Sequence, residues 1–364
     1  MNKRHKMKDS YTGSTAYILG CNGRTSVGIA RSLGAEKIKS VALDVQNARV
    51  SNFKYSRSFN EEIILNDYDA IVHKLVNLGK TLDKKGVLFA SNDLYVDFCE
   101  KYRDELKNYF HVPELPGRSL NYFMNKNNIL DYAKSLGFDV PNHTNLEESN
   151  NLNFPIIIKP LHTIINSKSD ICFVANEKSL IEDVFSFKEK FKNMAFQEYV
   201  VAESRDHIEI QAYNSKLKGP IIAGMHKKIH ISKSKCDHAY PTLASTLEST
   251  WVPDLEENVK KIVANLNFNS ALNMEFIWDN KSNTYKFIEV NFRHGSNVFL
   301  DTISGLNLPA IIYRDLSEDE NNSQFKDRSK FSELLVKKRR EGVKLIHESN
   351  ELLFVIFKRW FFKK

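Results

Sequence analysis

An apolar run, a glycine turn and a helix-forming stretch open the chain, and this order restricts the fold more than any other feature. The run is Ala16–Leu19, the turn is Gly20–Gly23, and helical residues extend from about Ser26 to Leu33 before a second apolar run at Ser40–Asp44. Two strands joined by a helix in this way lie parallel in one sheet. The sequence therefore predicts an α/β unit at the start of the chain.

Further strand patterns follow, and their arrangement changes along the chain. Gly86–Ala90 is another apolar run, and a helix is predicted at Leu94–Tyr109. Pro113, followed three residues later by another proline, marks a domain boundary. Beyond it, Ala271–Trp278 and Tyr285–Asn291 are joined by a linker of turn composition, which predicts an antiparallel pair. Because 364 residues are also too many for one simple core, the predicted fold class is α/β and α+β in two or three domains.

The composition argues against a disordered or a fibrous protein. Hydrophobic residues make up 42% of the chain and charged residues 27%, as in ordinary globular proteins. The net charge of +7 suits an anionic ligand, but the basic residues are scattered without a recognition motif, so no nucleic-acid partner is predicted. The four cysteines form no CxxC pair, which favours a reducing cytoplasm. No signal peptide and no run of membrane-spanning length is predicted.

One strand pattern carries the residues best suited to chemistry. Glu289, Asn291 and Arg293 alternate along a single strand, so their side chains share a face. Glu275, on the preceding strand of the predicted pair, can reach that face. Two carboxylates and an amide oxygen suit Mg²⁺ with bound phosphates, and the arginine can hold a phosphoryl group. The alternative is a solvated strand face whose charges only pair with one another.

The same residues resemble a family signature. Glu289-Val-Asn291-Phe-Arg293 resembles the E-x-N-P-R motif of the ATP-grasp superfamily, with Glu275 at the place of its preceding metal-binding acid. The resemblance implies that Glu275, Glu289 and Asn291 hold two Mg²⁺ ions, for which Mn²⁺ can substitute, and that Arg293 contacts the transferred phosphoryl group of ATP. Phe292 stands where the family has proline, and we expect its side chain to point away from the metals.

Two upstream lysines resemble the phosphate-binding lysines of the same family. Lys126 follows Asn125 at the start of a predicted helix, although the family has aspartate before this lysine. Lys159 ends the predicted strand Phe154–Lys159. The resemblance implies that both lysines contact the phosphates of ATP.

Two further segments resemble the part of the family fold that binds the nucleoside. The predicted strand Phe196–Val201 looks like the hinge that contacts adenine, which implicates Glu198 and Val200. The following segment is locally similar to biotin carboxylase. This similarity implies that Asp206 or His207 meets the ribose.

The first segment resembles the Rossmann-like domain that precedes the grasp in carboxylate–amine ligases, D-aspartate ligase among them. The implied activity is an ADP-forming ligase that converts a carboxylate to an acyl phosphate and joins it to an amine. The implied domains are a Rossmann-like domain (14–113), a small lobe with a linker helix (114–195) and a nucleotide and metal lobe (196–315). The resemblance ends near residue 314, and beyond it the sequence pattern predicts a polar linker and a basic amphipathic helical tail (316–364). The candidates in the first domain for the non-nucleotide substrate are Arg24, Asn92 and Asp93.

Two other functions stay open at this level. The stretch Leu161–Asp170 lacks the glycines that many family members place over the phosphates, although Ser167–Ser169 could supply contacts instead. Without that loop closure, the protein would be a non-catalytic ATP-binding module. The turn Gly20–Gly28, with Asp44 at the end of the next strand, partly matches a dinucleotide fingerprint and would suit an NAD(P)-dependent oxidoreductase.

Two remaining segments have less specific patterns. Met225–His238 contains histidines and a cysteine without tight metal-ligand spacing, so we expect a solvent-facing loop rather than a zinc site, with Lys227 or Lys228 available to substrate or phosphate. The tail Leu352–Lys364 is apolar with a basic end. It leaves open a peripheral membrane contact, docking on this protein, or docking on another subunit of a homo-oligomer. The expected substrates are a small or polymer-linked carboxylate and an amine.

Overall fold

A parallel sheet forms the first part of the protein. The computed structural model describes residues 15–46, 56, 58–162, 171–180, 183–184, 193–202, 206–232, 243–317 and 339–346. The strands are β1 (Ala16–Leu19), β2 (Ser40–Val45), β3 (Glu61–Leu65), β4 (Gly86–Ala90) and β5 (Phe110–His111). Their order is β3-β2-β1-β4-β5, and all neighbours are parallel. The parallel arrangement predicted from the opening strand–helix–strand segment is confirmed.

Helices connect strands of this sheet, and two of them begin at side-chain caps. The helices are α1 (Arg24–Ala35), α2 (Tyr68–Gly79), α3 (Asp93–Lys101) and α4 (Arg103–Leu106). The Asn92 side chain accepts a hydrogen bond from Tyr95 N (3.0 Å), which satisfies one of the unpaired amides in the first turn of α3. The residues that follow β4 are therefore held at a helix start that faces the carboxyl edge of the sheet.

The predicted helix Leu94–Tyr109 is wrong as a single element. The segment is divided between α3 and α4, and Phe110 then enters β5. Phe110 is 1% exposed, and its ring packs edge-to-face on Tyr17 with 5.2 Å between centroids. Burial of this ring in the sheet ends the helical path.

A smaller antiparallel sheet follows. Its strands are β6 (His143–Thr144), β7 (Ile156–Pro160), β8 (Cys172–Val174) and β9 (Met194–Glu198), in the order β6-β9-β7-β8. Helices α5 (Leu120–Phe123) and α6 (Lys126–Ser135) and a short 3₁₀ helix (Leu146–Asn151) accompany it. The strand predicted at Phe196–Val201 ends earlier than expected. The Tyr199 amide still donates to Pro155 O (2.9 Å), but Pro155 has no amide hydrogen to return the bond, so strand pairing ends at Glu198.

The largest sheet is antiparallel. It contains β10 (His207–Ser215), β11 (Gly219–Ser232), β12 (Leu243–Thr250), β13 (Leu272–Asp279), β14 (Thr284–Asn291) and β15 (Lys344–Ile346), in the order β14-β13-β10-β11-β12-β15. The predicted antiparallel pair is confirmed as β13 and β14. Helices α7 (Pro253–Leu266), α8 (Val298–Ser304) and α9 (Leu308–Ser317) pack against this sheet, and α8 and α9 also pack against α1.

Two expectations about this sheet are wrong. Residues 225–232 belong to β11 and are not a solvent-facing loop, because they pair with β10 or β12, and Met225, His226 and Lys228 are buried. Residues 344–346 form β15 against β12, where the sequence pattern suggested a basic helix. Cys236, His238 and the tail after residue 346 lie outside the described residues.

Apolar side chains from both larger sheets belong to one continuous core. Leu19 and Leu88 of the parallel sheet share a cluster with Met274 and Phe276 of the large sheet. Phe292 joins the same core, with 2% of its surface exposed, so it points away from the face that carries Glu289, as expected. No helix in the described ranges is both long and apolar enough to cross a membrane.

Candidate active site

The predicted acidic residues face each other across two strands. Glu275 on β13 lies opposite Glu289 on β14, and Asn273 lies opposite Asn291. Asn291 Nδ2 is 3.4 Å from Glu289 Oε1. Because residues opposite each other in an antiparallel pair point to one face, the structure brings the proposed metal-binding side chains together as the period-two pattern predicted.

This donor set fits Mg²⁺ that is shared with phosphates. No group of three or more His, Cys, Asp or Glu side chains suited to a metal ion occurs in the described part of the chain. The set at Glu275, Glu289 and Asn291 consists of two carboxylates and one amide. Mg²⁺ is often bound by one or two carboxylates with substrate phosphates completing its shell. The protein supplies three donors here, so oxygen atoms of a nucleotide or of water would complete the shell of an ion at this place.

A buried lysine joins the carboxylates. Lys228 Nζ lies 2.9 Å from Glu275 Oε2 and 3.1 Å from Glu209 Oε1, and the lysine side chain is 3% exposed. Glu209 is opposite Glu275 in the pair β10–β13. Lys228 was a sequence candidate, whereas Glu209 was missed. Glu209 lies two residues from both His207 and Gln211 on a predicted strand, and this spacing places it on the same strand face as His207, which could have identified it.

Arg293 is held by the first part of the chain. Its Nε and Nη2 atoms donate to Asp93 Oδ1 (2.9 Å) and Oδ2 (3.1 Å), which makes a two-point ion pair. Nη2 also lies 3.3 Å from Asn291 Oδ1. Burial lowers the pKa of Arg293, but Asp93, Glu289 and Glu275 outweigh it and the net pKa is raised. The arginine is therefore a fixed positive charge beside the acidic pair formed by Glu275 and Glu289.

The two predicted phosphate-binding lysines lie near the same acids. Lys126 Nζ donates to Pro160 O (2.9 Å), and Lys159 Nζ donates to Gln197 Oε1. Burial lowers the pKa of Lys126, and the charges of Glu289 and Asp93 oppose this effect. Burial and the neighbouring Lys126 lower the pKa of Lys159 to about 7, although Glu289 and Glu275 act in the opposite direction. The two cations and the two acids thus lie within electrostatic range of one another.

The residues predicted for the nucleoside lie where the small sheet meets the large one. Val200 belongs to an apolar cluster with Ile157 of β7, Ile277 of β13 and Ile288 of β14. The Glu198 carboxylate accepts hydrogen bonds from Asn142 Nδ2 (3.0 Å) and from the amide and side chain of Asn153 (both 2.8 Å). These bonds connect the end of β9 to Asn142 and Asn153, so the Glu198 carboxylate already has hydrogen-bond partners within the protein.

Asp206 and His207 lie at the start of β10. His207 is opposite Ile277 and is 4% exposed. Asp206 is close enough to Tyr285 to raise its pKa, after the larger effect of burial. His207 shares a strand face with Glu209, so both residues are on the side of the sheet that carries the acidic pair.

Comparison with known proteins decides the family. Residues 123–314, more than half of the chain, match the model of the carbamoyl-phosphate synthase L chain, ATP binding domain. This chain is a member of that ATP-grasp family.

Similar proteins extend the match beyond this domain. The chain is 22% identical over 316 residues to the D-aspartate ligase of Enterococcus faecium (strain Aus0004), which covers 79% of this chain and 73% of that protein. It resembles N5-carboxyaminoimidazole synthetase from Staphylococcus aureus with a TM-score of 0.64 and 14% identity, over 96% of this chain and 98% of that one. The biotin carboxylase domain of Hydrogenobacter thermophilus 2-oxoglutarate carboxylase gives a TM-score of 0.65 and 16% identity, over 85% and 70%.

These findings confirm the predicted ADP-forming ATP-grasp ligase of the carboxylate–amine type. They favour this activity over a non-catalytic module and over an oxidoreductase. The ATP-grasp family assignment agrees with the surroundings of Asp44. Its carboxylate accepts hydrogen bonds from Cys21 N (2.8 Å), Asn22 Nδ2 (2.9 Å) and Tyr95 OH (2.6 Å), so it is engaged within the protein instead of facing a dinucleotide.

Of the remaining candidate residues in this ATP-grasp protein, the structure places some beside the acidic pair and others away from it. Asp93 joins the site through Arg293, whereas Asn92 serves as the cap of α3. Arg24 begins α1, and burial lowers its pKa. Lys227 pairs with Glu248 (3.4 Å), whereas Lys228 pairs with Glu275 of the acidic pair. Residues 167–169, proposed to contact phosphates, lie outside the described residues.

Proposed function

We propose that this ATP-grasp ligase phosphorylates a carboxylate with ATP and transfers the acyl group to an amine at the face formed by β13 and β14. The observation that carries the proposal is the facing pair Glu275 and Glu289, with Lys126, Lys159 and Arg293 around it. A carboxylate is a poor electrophile. Its phosphorylation creates a leaving group, so one site has to gather the charges that stabilise phosphoryl transfer.

The proposed reaction has two successive steps. A carboxylate oxygen of the substrate attacks the γ-phosphorus, the bond from phosphorus to the β-bridging oxygen breaks, and ADP leaves. The amine nitrogen then attacks the acyl carbon, the bond from carbon to the phosphate oxygen breaks, inorganic phosphate leaves, and the nitrogen loses a proton. The protein contributes positioning and fixed charge.

Each cationic side chain has a distinct role in this proposal. Lys126 and Lys159 bind the phosphates of ATP, and Arg293 contacts the transferred phosphoryl group. Arg293 suits this role because its guanidinium can bind two oxygens at once and is held in place by Asp93.

Glu275, Glu289 and Asn291 would hold Mg²⁺, in two sites, with Mn²⁺ as a substitute. A metal held by these residues would neutralise phosphate charge and help to orient the γ-phosphate. Lys228 keeps the Glu275 carboxylate in place between β10 and β14.

Adenine would lie against the apolar cluster of Ile157, Val200, Ile277 and Ile288. Because the Glu198 carboxylate is engaged by Asn142 and Asn153, we propose that its contact with adenine comes from the main chain. Asp206 or His207 would meet the ribose.

We further propose the following organisation and setting. The strand order of the first sheet supports a Rossmann-like domain at 14–113, followed by lobes at 114–195 and 196–315 and a linker and tail at 316–364. The D-aspartate ligase relative supports an amino acid as one of the two substrates. We propose a cytoplasmic location, with the tail as a peripheral membrane or homo-oligomer contact.

The test is a coupled assay of ADP release and hydroxamate formation. It uses Mg-ATP, hydroxylamine as the surrogate amine, and a panel of amino and sugar acids. One acid should yield ADP and hydroxamate together in the wild type. Glu289→Ala should lower the rate at least ~100-fold because it removes a proposed ligand of the Mg²⁺ that would stabilise the charge on the transferring phosphate.

The matched control is Glu257→Ala, since the Glu257 side chain is 86% exposed and pairs with Lys260 on the surface of α7. Near-normal turnover in Glu289→Ala would remove the proposed site. ATP binding with no ADP release for any acid would instead support a non-catalytic module.

A further inference from the structure

A pocket lies between β11, β12, the end of α8 and residues 339–341. Its walls include His226, Ser249, Trp251, Ser304 and Arg339, and its empty volume is about 520 Å³ with the solvent at its mouth. None of these residues has a role in the proposed ATP site.

Strand register places the pocket beside that site. Glu209 is opposite Glu275 on one side and His226 on the other, and His226 is opposite Ser249. Residues opposite one another point to the same face, and neighbouring strands are about 4.8 Å apart. The backbones of His226 and Ser249 are therefore about 5 Å and about 10 Å from that of Glu209, on the face that carries Glu275.

Two buried polar atoms of the pocket lack partners. His226 is 0% exposed, and its Nε2 atom is 2.6 Å from Asp301 Oδ1. Its Nδ1 atom and Ser304 Oγ have no hydrogen-bond partner in the described part of the chain, and Ser304 is 7% exposed. Burial lowers the pKa of His226 to about 3, so the ring is neutral at physiological pH. Most buried polar atoms in folded proteins have a partner, so two unpaired ones directly behind the pocket wall make this place unusual.

A guanidinium lies at the exposed side of the pocket. The Arg339 head group lies 4.1 Å from the centroid of the Trp251 ring, and Nη2 donates to Ile222 O (2.6 Å). A guanidinium has five N–H donors in a planar fork that matches a carboxylate. One donor is used by Ile222, so Arg339 retains donors for a ligand.

We propose that this pocket binds a carboxylate group of a non-nucleotide substrate of the ligase, with Arg339 as its ionic partner. The inference rests on the proposed function. The carboxylate that becomes the acyl phosphate must reach the γ-phosphate beside Glu275 and Glu289, so the pocket holds a different carboxylate. That group belongs either to a dicarboxylic acyl donor or to an amino acid that supplies the amine.

The test uses the tryptophan under Arg339 as a reporter. The full-length protein is labelled with 5-fluorotryptophan, and the ¹⁹F resonance of Trp251 is assigned by its loss in Trp251→Phe. The probes are glutarate, aspartate, glutamate and N-acetylalanine, with glutaramide as the neutral match to glutarate. At least one carboxylate should shift the Trp251 resonance in a saturable manner, and glutaramide should leave it unchanged.

Arg339→Gln should abolish the shift. The matched control is Arg118→Gln. The Arg118 guanidinium also lies near aromatic rings, at 5.9 Å from the Phe123 centroid and 5.7 Å from the Tyr132 centroid, but these rings belong to α5 and α6 and are not part of the pocket. The control should retain the shift, and thermal unfolding of both variants verifies their folds. A Trp251 resonance that no carboxylate moves, or a shift that survives in Arg339→Gln, overturns the proposal.

Calorimetry of ATP on the same samples separates this inference from the proposed function. ATP binding without any carboxylate response removes only the pocket assignment, whereas a carboxylate response without ATP binding removes the ATP site. An acid that releases ADP then identifies the source of the bound group. A raised KM for that acid in Arg339→Gln with hydroxylamine indicates the acyl donor, and a raised KM only for an amino acid amine indicates the acceptor. No change in either KM contradicts the assignment.

Discussion

Lys159 has its ammonium group buried beside Lys126, and this placement makes ATP binding sensitive to pH. Burial and the charge of Lys126 lower the pKa of Lys159 to about 7. A phosphate favours the protonated lysine, so above neutral pH the protein must take up a proton when it binds ATP. The linkage follows from the different proton occupancy of the free and bound states.

We therefore predict that ATP affinity falls by up to about tenfold per pH unit above about pH 7. Calorimetry in buffers of different ionisation enthalpy should also detect proton uptake. Lys159→Arg keeps its charge, so its affinity should be nearly flat over this range. Adenosine, which lacks phosphates, is the ligand control. Equal slopes for wild type and Lys159→Arg would contradict the prediction.

Individual site residues are predictable from sequence where strand periodicity alone places them. The spacing of Glu289 and Asn291 predicts a shared face, and the register with Glu275 agrees. The ion pair between Asp93 and Arg293 joins residues 200 positions apart. No local pattern encodes which aspartate an arginine meets across that distance, so only the packing of the two sheets shows it.

At the scale of elements, the contact between α1 and α8 depends on a glycine. A Cβ atom on Gly28 would lie 2.5 Å from Val298 Cγ1. Ser32 and Thr302 hydrogen-bond across the same interface, with 2.7 Å between their hydroxyl oxygens. The helix pair therefore packs the first sheet closely against the segment that follows Arg293.

Gly28→Ala should lower the free energy of unfolding, because overpacking costs about 1–3 kcal/mol and helix propensity returns at most about 1 kcal/mol. The control is Gly34→Ala in the same helix, where a Cβ would meet nothing within 4 Å. The two variants should differ by about 1–3 kcal/mol in urea unfolding. Equal stabilities would show that α8 moves to accommodate the methyl group.

Helices and strands are predicted correctly where the hydrophobic pattern has a clear period, and incorrectly where tertiary contacts determine the backbone conformation. The pair β13–β14 has apolar runs and a turn-forming linker, and these predict it correctly. The strand 344–346 is too short to show any period, and it forms because β12 offers unpaired backbone groups. His226 resembles a solvent-facing loop residue in sequence because polar side chains alternate along β11 on a buried face.

At the scale of the whole molecule, the Asp93–Arg293 pair connects the parallel sheet to the site on the large sheet. Both side chains are mostly buried, at 18% and 17% exposure. Such a pair has few alternative partners for its charges, so loss of one member leaves the other poorly compensated. The position of Arg293 therefore depends on a residue outside the family-matched segment 123–314.

Asp93→Asn should lower the unfolding free energy by about 1–3 kcal/mol and reduce the rate of ADP release more than it changes the KM for ATP. A double-mutant cycle with Arg293→Gln should show a coupling above about 0.5 kcal/mol. Asp104→Asn is the control, since Asp104 is 85% exposed and pairs with Lys107. Additive effects of Asp93→Asn and Arg293→Gln would mean that the pair does not position the arginine.

The three-residue strand β15 has a consequence for how this protein behaves when shortened. It pairs with residues 246–248 of β12, at the border of the large sheet. An uncovered border strand presents free amides and carbonyls that recruit strands from other molecules. Removal of residues 339–346 would therefore expose this part of β12 and promote self-association through it, even though neither Glu275 nor Glu289 is lost. Deletions meant to explore the carboxyl-terminal segment should begin after Ile346.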